Sequence, residues 1–323
     1  MAGYIFKRLT VGVIIIWGVL TLTFAVIYIA PGDPASLYVR PDIDANVVQN
    51  LRNQMGLDLP VWKQYFKWTS GFIKGNFGVS FIQHRPVRTI LYIAVLNTLK
   101  LTTVVFILQM IIGIILGAVS AFRANTKLDF LISNTLLFFY SMPGFWLALM
   151  LVLVFSYKLT WLPASQMQSL NISSGMGAIF VDRLKHIILP VFVLVVPLAA
   201  TTAKFVRNSL VEVLSQEYIR TARAYGLKSS KILFKYATKN ALLPLVTLFG
   251  LNLPFLIGGA VVTEYIFAWP GMGRTMVNAI FAHDFPVILA STFLAAVAVV
   301  LGNQLSDIIY TLIDPRIRLK NSK

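Results

Sequence analysis

An uncharged run near the N-terminus, residues 9–30, constrains the fold more than any other feature of the sequence. As a helix rising about 1.5 Å per residue, it would extend about 33 Å and cross a hydrocarbon layer of about 30 Å. Five further apolar stretches follow near residues 101–122, 136–157, 187–203, 241–262 and 287–312. The sequence therefore predicts an all-α integral membrane protein with six transmembrane helices.

A cleavable secretory signal is the alternative interpretation of the first run, because Lys7 and Arg8 precede it. The apolar part of such a signal is usually about 7 to 15 residues long, which is shorter than this run. Pro31 also follows the run directly. We therefore expect an uncleaved anchor helix, and six spans then place both termini on the same side of the membrane.

The distribution of basic residues predicts which side that is. The chain is 57% hydrophobic and 12% charged, with a formal net charge of +16. With a cytoplasmic N-terminus, the inner segments hold 16 of the 28 Lys and Arg residues, and the longer outer segments hold 11. This bias follows the positive-inside rule of bacterial and archaeal inner membranes, so the charge requires no nucleic-acid partner. The absence of cysteine excludes disulfides and thiolate metal sites.

The spans divide the chain into three parts. Residues 1–94 are expected to form the anchor helix and an extracytoplasmic segment, residues 95–313 the membrane domain, and residues 314–323 a cytoplasmic tail. Pro60 opens an aromatic stretch with helical spacing in the outer segment. This pattern predicts an amphipathic helix that either docks a delivering protein or lies as an aromatic belt at the membrane interface.

Glycine and proline positions predict how the helices pack. Gly113 and Gly117 form a G-x-x-x-G pair, which typically lets two membrane helices approach closely. Pro143, Pro190 and Pro197 lie inside predicted spans, where proline is tolerated as a kink when neighbouring groups satisfy the freed carbonyls. A packed helical bundle is therefore expected.

The cytoplasmic segment 204–240 is long, basic and periodic. Asn208 or Ser209 is expected to begin a helix, Gly226 to end it in a left-handed conformation, and Ser229 or Ser230 to begin a second helix. The tip between the helices would expose small and apolar side chains, namely Ala222, Ala224, Tyr225 and Leu227. Because a free surface has little reason to expose such groups, we expect a protein partner to cover this tip. Membrane electrostatics and anionic lipid explain the individual basic residues around the tip, but they do not explain its apolar side chains.

Two runs of this segment resemble a known family. EYIRTARAYGL (residues 217–227) followed by NALLP (residues 240–244) resembles the cytoplasmic loop of permeases from ABC importers of the peptide and nickel type. Further blocks resemble the first of the two permease subunits in oligopeptide and dipeptide importers: YIFKRL (4–9), APGDPA (30–35), EYIFAWPGMGR (264–274), HDFPV (283–287) and DPRIR (314–318). Together the blocks span nearly the whole chain.

The resemblance implies the fold of a type I ABC importer permease. It also implies a second homologous permease subunit, two ABC ATPase subunits that use ATP and Mg, and an extracytoplasmic peptide-binding protein. The residues expected to transmit force from the ATPases are Arg220, Thr221, Ala222, Arg223, Ala224, Tyr225, Gly226 and Leu227. The chain itself contains no Gly-Lys dipeptide and therefore no phosphate-binding loop of the G-x-x-x-x-G-K-[ST] type, so we expect no enzymatic activity and no cofactor bound by this chain.

Two other classes remain as alternatives. A secondary transporter driven by an ion gradient needs intramembrane carboxylates, and Asp307, one turn after Asn303, is the candidate; we expect both residues to be structural. An intramembrane enzyme is the weaker alternative, because His84, His186 and His283 share no metal-ligand spacing.

The transported solute is the least constrained prediction. Oligopeptides are favoured, with nickel or another small solute as the alternative, since the peptide branch carries these too. The candidate pathway residues, selected for polarity or backbone softness, are Ser141, Thr201, Asn252 and Gly258. A turn at the pathway mouth is expected at the glycine-rich residues 271–275.

Overall fold

The computed structural model describes residues 2–29, 58–170, 175–228, 231–232, 236 and 260–313, with side chains described from 8 and up to 306. In these residues the fold is helical apart from turns and one isolated bridge between Val79 and Pro86. The predicted span 241–262, the second cytoplasmic helix start at Ser229 or Ser230, and the tail 314–323 lie largely or wholly outside the described residues.

The described helices are numbered here in chain order. They are α1 (Ala2–Ile29), α2 (Val61–Ile73), α3 (Val87–Phe122), α4 (Lys127–Ser141), α5 (Gly144–Leu151, continued by a π-helical turn Val152–Lys158), α6 (Met176–Leu214), α7 (Glu217–Ala224), α8 (Val261–Ile266), α9 (Met272–Phe281) and α10 (Phe285–Ile313).

Four of these helices are long and apolar enough to cross a membrane, within the part of the chain that is described. They comprise Arg8–Ile29, Val87–Phe122, Met176–Leu214 and Phe285–Ser306. They correspond to the predicted spans 9–30, 101–122, 187–203 and 287–312. The predicted spans 101–122 and 187–203 are shorter than the helices that contain them. Helix α3 begins before its apolar run and includes the buried polar residues Asn97 and Thr98, and α6 extends past its apolar run at both ends.

The predicted span 136–157 is not a continuous helix. Lys127–Ser141 and Gly144–Lys158 meet at a bend of 95° and together count as a fifth span if they are one broken span. Met142 and Pro143 form the break, both with extended backbone. Proline disfavours the helical conformation of the residue before it, so Met142 leaves the helix and α5 begins anew after Pro143. Pro190 and Pro197, in contrast, lie within the single helix α6.

Helices α3 and α6 form the centre of the bundle, and the G-x-x-x-G pair lies at their contact. A Cβ atom added at Gly113 would lie 2.6 Å from Thr202 Cβ, and one added at Gly117 would lie 2.5 Å from the carbonyl oxygen of Ala203. The two backbones therefore approach too closely for any side chain, as the small-residue pattern predicted.

The predicted amphipathic outer helix is present as α2. It begins after Pro60, and Phe72 on its inner face is buried, whereas Trp62 and Phe66 are exposed. Its contact with α1 includes a hydrogen bond of 2.7 Å between the hydroxyls of Thr21 and Tyr65. The opposite edge of α1 packs on α10, where Gly12 lies against Val300 and Gln304.

Candidate coupling site and outer network

Helix α7 follows α6 after a two-residue break, at the end of the bundle predicted to be cytoplasmic. The expectation that Asn208 or Ser209 begins a new helix is wrong, since α6 continues through both to Leu214. The continuation is favoured because it buries Val206 and Leu210 in a cluster with Ala121 of α3. The chain then turns at Ser215 and Gln216, and α7 begins with Glu217 in its first turn.

Two side chains attach α7 to the bundle. Ile219 is fully buried and Ala222 is buried, and both belong to the same cluster as Val206 and Leu210. Residues three apart lie on one face of a helix, so these two define the inner face of α7. The expectation that Ala222 is exposed at the tip is therefore wrong, and Leu227 is likewise partly buried against this cluster.

The end of α7 is a Schellman motif centred on Gly226. The N–H of Gly226 donates to the carbonyl of Arg223 at 2.9 Å, and the N–H of Leu227 donates to the carbonyl of Ala222 at 3.3 Å. Gly226 has φ of +70°, the left-handed conformation predicted from the sequence. The apolar contact that usually accompanies this motif is present too, because Leu227 and Ala222 share one cluster.

The remaining predicted coupling residues form the outer face of α7. Arg220, Thr221, Arg223, Ala224 and Tyr225 are exposed, and Tyr225 is 81% exposed. Thr221 donates its hydroxyl hydrogen bond back to the carbonyl of Glu217 at 3.0 Å. The result is a short helix that presents Arg220, Arg223 and Tyr225 outward and is held to the bundle by buried apolar side chains on its other face.

A partly buried ion pair ties the lower part of α6 to α4 near this helix. Arg207 donates through Nε and Nη2 to the two carboxylate oxygens of Asp129, at 2.7 and 2.6 Å. Asp129 also accepts hydrogen bonds from the hydroxyl of Ser120 at the end of α3 and from the N–H of Asn125. One carboxylate thus joins α3, α4 and α6, and Arg207 lies ten residues before the first residue of α7. Asp129 and Arg207 are 78 residues apart, so no local pattern in the sequence indicates that they form a pair.

A cavity of about 500 Å³ lies beside this ion pair. Helices α4 and α6 supply most of its polar lining, which is Ser133, Asn134, Tyr140, Thr201, Lys204, Arg207 and Asn208. Thr201 was predicted as a pathway residue and lines this cavity. Ser141, also predicted, is exposed but not part of the lining; its hydroxyl donates to the carbonyl of Leu137 at 2.8 Å. Asn252 and Gly258 lie outside the described residues.

The opposite end of the bundle contains a buried carboxylate, Glu264 in α8. Its Oε1 accepts the hydroxyl hydrogen of Thr98 at 2.8 Å, and its Oε2 accepts the N–H of Gly273 at 2.7 Å and of Arg274 at 3.3 Å. Thr98 in turn accepts the N–H of Met272 at 2.7 Å. The carboxylate thus satisfies the free N–H groups at the start of α9.

The expectation of a turn at residues 271–275 is wrong, because α9 begins at Met272 and only Gly271 precedes it. The two glycines, Gly271 and Gly273, instead allow the close contacts of this network. A Cβ atom added at Gly271 would lie 2.5 Å from Glu264 Oε2. Gly271 is therefore required so that the carboxylate can reach the first turn of α9. Burial raises the pKa of Glu264, while the hydrogen bonds from Thr98 and from the backbone N–H groups act in the opposite direction.

Among the described side chains, the remaining candidates form no further group of possible ligands. Asn303 is exposed on α10, and Asp307 lies in that helix with its side chain outside the described set, so their predicted structural role stays a prediction. His186 is buried, with Nδ1 2.8 Å from the carbonyl oxygen of Asp182. Among the described residues, no three His, Asp or Glu side chains are grouped as metal ligands would be.

Comparison with known protein families decides the assignment. A family model described as "Binding-protein-dependent transport system inner membrane component" matches residues 113–319, and the corresponding N-terminal model matches residues 1–102. The chain belongs to this family of transport permeases. The family description makes this permease a component of an inner membrane and of a system that depends on a binding protein.

Full-length relatives of the permease are known from several bacteria. It is 41% identical to the oligopeptide transport system permease protein AppB of Bacillus subtilis over 318 residues, covering 98% of this chain and 99% of the relative. It is 37% identical to the glutathione transport system permease protein GsiC of Escherichia coli K12, covering 99% of this chain and all of the relative.

A solved structure supports the fold. Inward-facing structures of the MetNI methionine ABC transporter match with a TM-score of 0.55 and 20% identity, covering 70% of this permease and 96% of that chain. At this identity the similarity concerns the fold alone. The predicted fold class, an all-α membrane protein with the fold of an ABC importer permease, is confirmed.

Proposed function

We propose that this permease forms half of the translocation pathway of an ATP-driven importer for peptides, most favourably oligopeptides. The observation that carries the proposal is α7: a short helix seated on the bundle by Ile219 and Ala222, closed by a Schellman motif, with its charged face free. The near full-length similarity to permeases named for oligopeptide and glutathione transport supports peptides as the substrate class.

The partners follow from the family and from the exposed face of α7. We expect a second homologous permease to complete the pathway and two ATPase subunits to bind ATP and Mg. One ATPase would hold Arg220, Arg223 and Tyr225, whose exposed positions suit charge pairing and aromatic packing. An extracytoplasmic peptide-binding protein would deliver the substrate. Both termini are expected on the cytoplasmic side.

Force would pass from α7 into the membrane through packed contacts. Ile219 and Ala222 are in direct contact with the cluster that holds the ends of α3 and α6, so α7 cannot move without moving that cluster. When the ATPases close, the displaced helices would open the pathway outward so that the binding protein can release peptide. We also expect the second cytoplasmic helix, which was predicted to begin at Ser229 or Ser230, to carry the displacement into the predicted span 241–262. That path lies almost wholly outside the described residues and stays a prediction.

Crosslinking tests this function cleanly because the chain contains no cysteine. The variants Tyr225→Cys and Ala224→Cys should each form a crosslink with an ATPase subunit in intact cells. Ala222→Cys is the matched control on the same helix, and its buried thiol should not react. Uptake of labelled peptide should cease on ATP depletion and persist with a proton ionophore. Failure of both exposed positions to capture an ATPase, or loss of uptake with the ionophore alone, would contradict the proposal.

A further inference from the structure

A second cavity, of about 360 Å³, lies at the end of the bundle that contains the Glu264 network. Helix α3 forms one wall of the cavity. The segment before α6, the first turns of α6, and the turn between α8 and α9 with the first turn of α9 form the others. The lining residues are Asn97, Lys100, Gln166, Met167, Gln168, Arg183, Ala268, Pro270 and Arg274. On the predicted topology this cavity opens to the outside.

The cavity collects three positive charges and no carboxylate lines it. Lys100, Arg183 and Arg274 come from three different segments of the chain. Their side chains donate to neutral acceptors: Lys100 Nζ to Asn97 Oδ1 at 3.2 Å, Arg183 Nη2 to Gln168 Oε1 at 3.2 Å, and Arg274 Nη1 to the carbonyl of Ala268. None of the three forms an ion pair with a carboxylate in the described part of the chain.

Two acidic side chains on neighbouring segments are already engaged. Glu264 is fully buried and accepts hydrogen bonds from the hydroxyl of Thr98 and from the backbone N–H groups of Gly273 and Arg274. Asp182 accepts hydrogen bonds from the N–H and the hydroxyl of Ser169, at 2.9 and 2.6 Å. The guanidinium and ammonium donors that remain in the cavity are therefore available to an external anion.

We propose that this cavity binds the C-terminal carboxylate of the transported peptide, an inference that rests on the proposed function. Guanidinium groups match a carboxylate in geometry and can bind it through two parallel hydrogen bonds. The volume lies at the lower end of small-molecule sites, which leaves room for a terminal residue and little more. A carboxylate is the group that linear peptides share whatever their side chains, so a cationic recess accepts many sequences without selecting among them.

Direct binding tests the inference without the binding protein. The complete transporter complex is placed in nanodiscs of phosphatidylcholine, which carries no net charge. Acetyl-trialanine and its C-terminal amide are the two probes, and binding is measured by saturation-transfer NMR. We expect the wild-type complex to bind the free acid at least about fivefold more tightly than the amide, because hydrogen bonds to charged groups are about twice as strong as neutral ones.

The double variant Lys100→Gln and Arg183→Gln should reduce this preference to less than about twofold, since both lost groups are charged donors. Arg274 is retained because it also holds the carbonyl of Ala268. Lys185→Gln is the matched control: Lys185 is an exposed cation on the same helix as Arg183 and does not line the cavity. It should keep the wild-type preference.

Three results would overturn the inference. The first is equal binding of the acid and the amide by the wild-type complex. The second is an unchanged preference for the acid in the double variant. The third is a loss of this preference in Lys185→Gln as large as in the double variant. The double variant could instead keep the acid preference and need a higher concentration of binding protein for half-maximal ATPase stimulation. That result would show that the cavity binds an acidic side chain of the binding protein and not the peptide. ATP-driven peptide uptake separates the two proposals: if uptake persists without any acid preference, the inference fails and the proposed function stands.

Discussion

Arg207 and Asp129 form a bidentate ion pair that links α6 to α4 at the base of the bundle, with N to O distances of 2.7 and 2.6 Å. The Asp129 side chain is 6% exposed and that of Arg207 is 26% exposed. Because the same carboxylate also binds Ser120 and the N–H of Asn125, the pair fixes the end of α3 and the start of α4 relative to α6. The pair lies between α7 and the membrane-spanning part of α6, ten residues before the first residue of α7.

Removing the guanidinium should therefore destabilise the permease. Arg207→Gln leaves Asp129 buried without its charged partner, which we expect to cost about 2 to 3 kcal/mol and to lower the thermal unfolding midpoint of the purified complex. Arg207→Lys keeps the charge but loses the two-donor geometry, so its effect should be smaller. The exposed variant Arg220→Gln is the control for loss of a nearby charge, and an equal loss of stability there would contradict this assignment.

Gly226 should be sensitive to substitution for a conformational reason and not for lack of space. No atom lies within 4 Å of a Cβ atom built at this position, but its φ is +70°. Gly226→Val should therefore cost about 1 to 2 kcal/mol at the end of α7 and reduce the ATPase stimulation that accompanies peptide uptake. Gly226→Asn should retain most activity, since asparagine tolerates the left-handed region. Equal activity of the two variants would argue against the Schellman motif as the critical feature.

Gly117 should be sensitive for the opposite reason. An added Cβ would lie 2.5 Å from the carbonyl oxygen of Ala203 and 2.7 Å from Val206 Cβ, so α3 and α6 would have to separate. We expect Gly117→Ala to destabilise the complex by about 1 to 3 kcal/mol, measured as a lower thermal midpoint. Gly18→Ala in α1 is the matched control, because nothing lies within 4 Å of that position. It should be neutral or slightly stabilising, as alanine favours helix.

Thr98 should be required for its hydroxyl. It donates to Oε1 of Glu264 and accepts the N–H of Met272, so Thr98→Val keeps the shape but removes the hydrogen-bond partner of that oxygen and of that N–H, while Oε2 keeps its hydrogen bonds to the N–H groups of Gly273 and Arg274. A loss of about 1 to 3 kcal/mol in the free energy of unfolding is expected, since both groups are buried. Thr98→Ser restores the hydroxyl and should recover most of the stability. Similar thermal midpoints for the valine and serine variants would show that the hydrogen bonds contribute little.

Local patterns predicted the features that depend on neighbours in the sequence. Uncharged runs predicted the long helices, the Pro60 stretch predicted α2, and Gly226 predicted the left-handed end of α7. Pro143 predicted a kink, although not a bend of 95°. The prediction that a helix begins at Asn208 or Ser209 was wrong, because burial of Val206 and Leu210 favours continuation of α6 over the local capping preference. The same burial hides Ala222, which the local pattern placed at an exposed tip.

What the sequence determined by itself is the class of molecule: the length and spacing of its apolar runs require a bilayer, and the motifs of the cytoplasmic loop and outer turns indicate a permease. Only the tertiary structure decided the polar contacts. Asp129 meets Arg207 across 78 residues, and Thr98 meets Glu264 across 166. Such partners are brought together by helix packing, and no periodicity along the chain records which buried donor faces which acceptor.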